Sequence, residues 1–281
     1  MVKIVTDSLS DITSDMAGGL GITVVPLTVF FGRASFLDRI TITTDEFYYR
    51  LTHDTTWPTT TQPSPGAFAE VYNKLAEETN EILVITLSSK LSGTYKSAMS
   101  AKELVKKKQC RIEVIDSLTV AMGLGLVVIA AAQAAQAGGK LDELVSLVKR
   151  ALPRSHILIY FDTLKYLAKG GRIGKAQGLL GAMLSVKPVL TIKDGEMSPV
   201  TRLRSRAAGM DYLYSSAAGY ARIEGLAVEH TTAPGEADKL VERFGAIFSK
   251  ERIYRSTVSP VMGTYAGPDA VAVTVLEAEK K

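Results

Sequence analysis

The residues of this chain that could do chemistry are mostly neutral hydrogen-bond donors. The densest group is Leu87-Ser88-Ser89-Lys90-Leu91-Ser92-Gly93-Thr94-Tyr95. It follows the apolar run Ile82-Leu83-Val84-Ile85, which predicts a buried strand. It precedes a helical pattern through Ala98, Ala101, Leu104 and Val105, continuing to about Lys107. Hydroxyls and a glycine at a strand-to-helix turn can present O–H and N–H donors to a ligand oxygen. The plainer role for Ser92 is to cap that helix. Similar donors occur at Asp7-Ser8, Thr60-Thr61-Gln62 and Gly263-Thr264-Tyr265, which read as loops. Loops at the strand ends of one α/β sheet can converge on a single crevice. Such a crevice suits one carboxylate or phosphate, held by hydrogen bonds rather than a formal ion pair.

Other chemistries find little support. His53, His156 and His230 stand far apart and in no ligand spacing, so no metal is expected. There is no G-x-S-x-G elbow. Ser92 with a histidine and Asp116 is a triad that only geometry can test. Gly170-Gly171-Arg172-Ile173-Gly174-Lys175-Ala176 falls short of a phosphate loop, with Lys169 for the first glycine and Ala176 for the hydroxyl. Gly123-Leu124-Gly125 lacks the third glycine of a dinucleotide fingerprint, and tight packing accounts for it. No cofactor is expected.

The elements that must position these donors follow from pattern. Strands are expected at Lys3-Ile4-Val5-Thr6, over 22–31 with Pro26 marking an edge or bulge, and over 82–87 and 111–115. Thr43-Thr44-Asp45-Glu46 fits a capping box before Phe47, Tyr48 and Leu51. Residues 57–66 hold three prolines and are expected to be irregular, ending with Ser64 as cap and Pro65 at the first helical position. Residues 118–137 carry no charge, but their alanines, Gln133 and Gln136 favour a helix packed inside the protein over a membrane span. Alternating strands and helices imply a largely parallel sheet covered on both faces. After Pro153 the pattern changes: a strand over 156–161, Asp162 as a cap, a helix over 179–184, and Asp194-Gly195 turning a hairpin. Strands and helices then alternate to a last strand near 271–276, so a second α/β domain with a mixed sheet is expected.

The 281 residues carry a net charge of +4, with 46% apolar residues. Up to residue 155 the charges cancel, so the whole excess lies beyond, concentrated between Lys165 and Arg206. A basic face attracts anionic ligands or partners. No nucleic-acid motif accompanies it, so nucleic acid is not the expected partner. A single cysteine, Cys110, and an early Asp7 fit a cytoplasmic protein without a secretory signal.

Ile4-Val5-Thr6-Asp7-Ser8, Thr60-Thr61-Gln62-Pro63-Ser64, the 87–95 loop, Lys169-Gly170-Gly171-Arg172-Ile173 and Gly263-Thr264-Tyr265-Ala266-Gly267-Pro268 together resemble the DegV family. The resemblance runs in order across essentially the whole chain. It implies a two-domain α/β fold: a largely parallel three-layer α/β/α domain over 1–155 and a mixed-sheet α/β domain over 156–281. It also implies non-catalytic binding of a long-chain fatty acid between them, presented in some members to a separate fatty acid kinase. By motif, Thr60 and Ser92 match the carboxylate-binding hydroxyls, with Thr61, Gly93, Thr94 and Tyr265 beside them. Arg172 and Arg202 match groups that stand behind the head group or dock a partner. The family pattern usually has histidine at Tyr265 and often glycine at Asp269; a phenol donates a hydrogen bond but brings no positive charge. Burying about fifteen methylenes at roughly 0.8 kcal/mol each gives a gross ~12 kcal/mol, against about 1 kcal/mol per hydroxyl bond. The tail should dominate affinity, and Leu179, Leu180, Met183, Leu184, Val189, Leu190 and Ile192 are candidates for its slot, ordinary core being the competing role. The rival classes are a serine-dependent acyl- or phosphoryl-group enzyme using Ser92, and a nucleic-acid binder using 165–206.

Overall fold

The computed structural model describes residues 1–182 and 186–279. β1 (Lys3–Asp7) passes through a 3-10 turn into α1 (Ser14–Leu20) and returns as β2 (Ile22–Val25). The 22–31 run is two strands, not one. Pro26 ends β2, and β3 (Thr28–Phe31) leaves for a small antiparallel sheet with β4 (Ala34–Leu37). α2 (Thr44–His53) follows, capped by the Thr43 hydroxyl, which accepts from the Glu46 amide at 3.1 Å. Glu46 does not reach back as a capping box requires; its carboxylate pairs with Arg50 at 2.7 Å.

The 57–66 stretch is not wholly irregular, because β5 (Pro58–Thr61) pairs with β3. Proline is tolerated at the first residue of an edge strand, where no donor is required, and β5 is such an edge. α3 (Pro65–Glu78) begins with Ser64 and Pro65 in the expected roles. β6 (Glu81–Thr86), α4 (Thr94–Ala101), β7 (Arg111–Asp116), α5 (Met122–Gln136) and α6 (Leu141–Ala151) complete the first half. α4 ends earlier than its pattern suggested, with a 3-10 turn over Lys102–Leu104 and Leu104 exposed.

The first sheet is all parallel, in the order β2-β1-β6-β7. Successive side chains point to opposite faces. Val5, Ile82 and Val84 meet Phe68, Tyr72 and Ala98 of α3 and α4, while Ile4, Leu83 and Ile85 join the core containing α5 and α6. This is the three-layer arrangement.

The second half runs through β8 (Ser155–Tyr160), α7 (Lys165–Lys169), a 3-10 segment Gly174–Ala182, β9 (Lys187–Lys193) and β10 (Glu196–Leu203). Asp162 does not cap α7; its carboxylate takes Lys187 at 2.8 Å, and Thr163 accepts from the Lys165 amide instead. Asp194 and Gly195 turn the β9–β10 hairpin, both at positive φ. Then come α8 (Arg206–Ala218), β11 (Ile223–His230), α9 (Pro234–Phe244), β12 (Ile253–Thr257), α10 (Pro260–Ala266) and β13 (Val271–Glu277). The sheet order is β10-β9-β8-β13-β11-β12, with only β11 and β12 parallel. It is a mixed sheet, with α8 and α9 on one face.

α5 packs against strands of both large sheets, touching β1 and β6 on one side and β8, β11 and β13 on the other. A helix that is apolar all round belongs in such a place. Gly125 lets it approach closely: a Cβ there would stand 2.5 Å from the Ser10 carbonyl oxygen. No helix among the described residues is long and apolar enough to cross a membrane.

Candidate functional site

Three elements bring the hydroxyls together. The small sheet carries Thr60 on β5, opposite Val29 of β3. The loop after β6 carries Ser92 and is pinned from both sides. The Asp7 carboxylate accepts the Leu87 amide at 2.8 Å, and the Ser88 hydroxyl donates to the Gly195 carbonyl at 2.7 Å. Gly195 sits at φ +84°, and a Cβ on it would run into the Ser88 hydroxyl, so the hairpin tip can seat on the loop only as glycine. Tyr265 comes from α10. The Gly263-Thr264-Tyr265 stretch is therefore helical rather than a loop, started by Ser259, whose hydroxyl accepts from the Met262 amide, and by Pro260 at its first turn. That serine–proline pair is a helix-start signal available in the sequence.

Thr60, Thr61, Gln62, Ser92, Arg172 and Tyr265 line one cleft, with about 500 Å³ of empty space counted out to its mouth. Thr60 Oγ1 and the Tyr265 hydroxyl share a short hydrogen bond. Ser92 Oγ is 2.9 Å from Thr94 Oγ1 and accepts from the Thr94 amide at 3.3 Å. The Arg172 guanidinium lies 5.1 Å from the centre of the Tyr265 ring, and its Nε donates to the Leu91 carbonyl at 3.3 Å. Gly93 allows Gln62 to lie across the loop, since a Cβ would be 2.9 Å from its Nε2. Gly93 faces an outer polar groove with Lys90 and Arg172. Thr94 is buried behind Ser92 and lines neither space, and Arg202 is exposed on β10, away from both. Ser92 has no histidine partner: its hydroxyl pairs with Thr94, His53 contacts Tyr49 and Thr52, His156 stacks on Tyr220, and the buried Nδ1 of His230 has no hydrogen-bond partner among the described residues.

Inward, the cleft is apolar. Leu9, Leu27, Leu87, Leu91 and Val120 come from the first half, and Leu167, Met197, Val261 and Met262 from the second. Leu167, Met197, Met262 and Tyr265 also border a second, narrower chamber, walled by Phe161, Val258, Ala270 and Ala272 among others. Unbranched methionines between the two can repack around a ligand. Of the residues expected to line the tail slot, Leu179, Leu180, Val189, Leu190 and Ile192 border neither space and belong to the packed core or its edge; Met183 and Leu184 lie outside the described residues. The walls come from at least eight separate segments, so no single periodic run signals them.

Beneath the second chamber lies a group of buried acids that the sequence pattern did not reveal. Asp7, Asp11, Asp38 and Glu229 are all fully or almost fully buried. Burial pushes the carboxyls of Asp7 and Asp38 up to about 7, against the amides and hydroxyl that favour their charged forms. Burial also raises Asp11, opposed by Arg39, and holds Glu229 well above the usual carboxylate range. Glu229 sits within the otherwise apolar Leu226-Ala227-Val228-Glu229, the one mark it leaves on the sequence. No group of three metal-ligating side chains occurs among the described residues.

A hydroxyl-rimmed cleft with apolar inner walls lies on two α/β halves packed about a shared helix. A family model described as "Uncharacterised protein, DegV family" matches residues 1–278, and the chain belongs to the DegV family. A DegV domain-containing protein from Caldanaerobacter subterraneus is 38% identical over 97% of each chain. Among solved structures, a DegV family protein from Thermus thermophilus, described for its fatty acid binding, aligns with TM-score 0.90 at 30% identity over 99% of each chain. DegV from Bacillus subtilis, described as a fatty acid binding protein, aligns with TM-score 0.89 at 26% identity over 99% of each chain.

Proposed function

We propose that this protein binds one long-chain fatty acid non-catalytically, its carboxylate at Thr60, Ser92 and Tyr265 and its tail in the apolar chambers behind them. The observation that carries this reading is the continuity of a neutral, hydroxyl-lined mouth with apolar walls. Tail burial supplies most of the affinity, while the hydroxyls orient the head and prevent an unsatisfied buried carboxylate. The Thr60–Tyr265 hydroxyl pair can exchange its mutual bond for bonds to the ligand, so little polar satisfaction is lost on filling. The fatty-acid descriptions of the Thermus and Bacillus relatives support the same reading.

We put the boundary between the two domains at 155/156, at the start of β8, with the acid held between them in the cytoplasm. Handover to a separate fatty acid kinase is supported by the outer groove. Exposed Lys90 and Arg172 flank Ser92 there and suit an acidic partner surface. Charge reversal of Lys90 and Arg172 should slow phosphorylation of the bound acid; unchanged turnover rejects the docking role. Native mass spectrometry tests the binding itself. The purified protein should release intact long-chain acids under mild activation. A covalent acyl adduct on Ser92 as the sole bound species would instead favour the serine-enzyme alternative.

A further inference from the structure

The hydrogen bond between Thr60 Oγ1 and the Tyr265 hydroxyl crosses from the first half of the molecule to the second. When a ligand head takes over that bond, as proposed above, another contact has to keep the two hydroxyls side by side. A second crossing stands next to it. The ring of Trp57 stacks on that of Tyr166, with centroids 4.9 Å apart and planes 25° from parallel. Trp57 lies three residues before Thr60 and leads through Pro58 into β5, while Tyr166 belongs to α7. Lys169, from the same helix as Tyr166, places its Nζ 3.9 Å from the centre of the Trp57 ring. Stacked aromatic pairs and a cation over an indole each favour one ring placement over others.

Two glycine–tyrosine pairs interlock α7 with α10. Tyr166 lies against Gly267, where a Cβ would overlap its ring. Gly267 stands at φ +72° and ψ −175°, a backbone shape that essentially only glycine adopts. Tyr265 in turn lies against Gly170, where a Cβ would overlap the Tyr265 ring. Gly170 follows α7 directly: its amide donates to the Tyr166 carbonyl at 2.9 Å, and its carbonyl accepts from Arg172 at 2.8 Å. Each tyrosine thus sits on the glycine of the other's segment. Thr60 is tied to the stack through Trp57, and Tyr265 through Gly267 and Gly170. Both ends of the hydroxyl bond hang on one aromatic pair.

We infer that Trp57 and Tyr166 are positioning residues for the head-group site: their stack keeps Thr60 and Tyr265 within reach of one carboxylate when the hydroxyls bond the ligand instead of each other. The inference rests on the fatty-acid reading given above. A phenol hydroxyl stands at the far end of its ring, so a small tilt of Tyr265 carries it out of hydrogen-bonding range. Binding groups must be held to about 0.5 Å by packing of their own rings and neighbours. The role differs from that of a core residue. Trp57, Tyr166 and Tyr265 are all half-buried, and in the empty protein the Thr60–Tyr265 bond still ties the two halves. Loss of the stack therefore weighs more on the loaded protein than on the empty one.

The test measures the palmitate Kd of full-length protein by titration calorimetry. Tyr166→Leu keeps an apolar side chain near Gly267 but removes the stack. It should weaken binding about five- to tenfold, close to the loss of one hydroxyl bond to a carboxylate. Tyr166→Phe keeps the ring and should restore the wild-type Kd. In a Thr60→Val/Tyr265→Phe background neither hydroxyl is left to position, so adding Tyr166→Leu should change Kd by less than about twofold. A change below about twofold in the wild-type background, or the same factor in both backgrounds, would overturn the inference. So would a Tyr166→Phe Kd as weak as that of Tyr166→Leu. Should Tyr166→Leu not fold, Trp57→Leu is read by the same two-background comparison. If Thr60→Val/Tyr265→Phe alone binds palmitate as wild type does, the head group lies elsewhere and the inference falls. If wild type binds no palmitate, the fatty-acid reading falls, and the positioning role is judged on the empty protein. The drop in Tm caused by Tyr265→Phe must then shrink when Tyr166→Leu is present, and equal drops overturn it.

Discussion

The mouth of the cleft and the acid group beneath the second chamber are both polar, yet they are built in opposite ways. At the mouth, Thr60, Ser92 and Tyr265 are neutral, half-buried hydroxyls that satisfy one another or a near neighbour. A hydroxyl both donates and accepts and rotates freely, so these bonds can be redirected to a ligand at small cost. In the interior, Asp7, Asp11, Asp38 and Glu229 are wholly buried and tied to named amides, hydroxyls and one arginine. Breaking any of those ties leaves a charge or donor with no water to replace it. Adaptable groups face the ligand, and rigid ones fix the frame that carries them.

That contrast can be broken first at its rigid end. Asp11→Ala strands Arg39 and the Ser259 amide together, and should cost about 3–5 kcal/mol of stability in guanidinium unfolding. A cost of under about 1 kcal/mol would mean these buried ties do not fix the frame. The tail chambers come next. Shortening the bound acid from sixteen carbons to twelve removes four methylenes, roughly 3 kcal/mol or about two hundredfold in Kd. Calorimetric affinities that do not vary with chain length would rule out a tail-dominated site.

The acid group also sets how stability varies with pH. Asp7 and Asp38 are both raised to about 7, so the folded state binds protons that the unfolded chain has released. Their contribution is fully present below the unfolded carboxylate range and is lost as pH rises through 7. His230, depressed by burial, acts the other way but is a single half-buried group. Tm should therefore be higher at pH 5 than at pH 8, and Asp38→Asn should shrink the difference; a higher Tm at pH 8 contradicts the assignment.

At the adaptable end the effects are smaller. Ser92→Ala should weaken palmitate binding by about 1–3 kcal/mol, through an unpaired carboxylate oxygen. Tyr265→Phe keeps the ring beneath Arg172 and loses one hydroxyl, so about 0.5–1.5 kcal/mol is expected, with folding stability little changed. If Tyr265→Phe destabilised the fold as much as Asp11→Ala, the division between adaptable mouth and rigid frame would disappear.

Local signals located the helices and strands where local physics decides. Ser64-Pro65 starts α3, Asp194-Gly195 turns the hairpin, and the charge-free 118–137 run is the helix at the centre of the molecule. They misled where one residue was weighed without its neighbours. Pro58 suggested irregular chain, but an edge position makes its missing N–H harmless. The glycines and proline of 263–268 suggested a loop, although Ser259-Pro260 is a sound helix start. Asp162 looked like a cap until Lys187, 25 residues on, took its carboxylate.

Adjacent or periodic residues carry the alternating α/β pattern, the DegV motifs and the hydroxyls offered by Thr60, Ser92 and Tyr265, so all of these are legible without the fold. Only the tertiary structure decided which hydroxyls meet, since Thr60 and Tyr265 are 205 positions apart. It alone gathered the apolar walls of the cleft from both halves, with Leu179, Leu180, Val189, Leu190 and Ile192 not among them. It also buried Asp7, Asp11, Asp38 and Glu229, an enclosure that no local pattern records. Enclosure and desolvation are properties of packed surfaces, and surfaces from distant segments meet only in the fold.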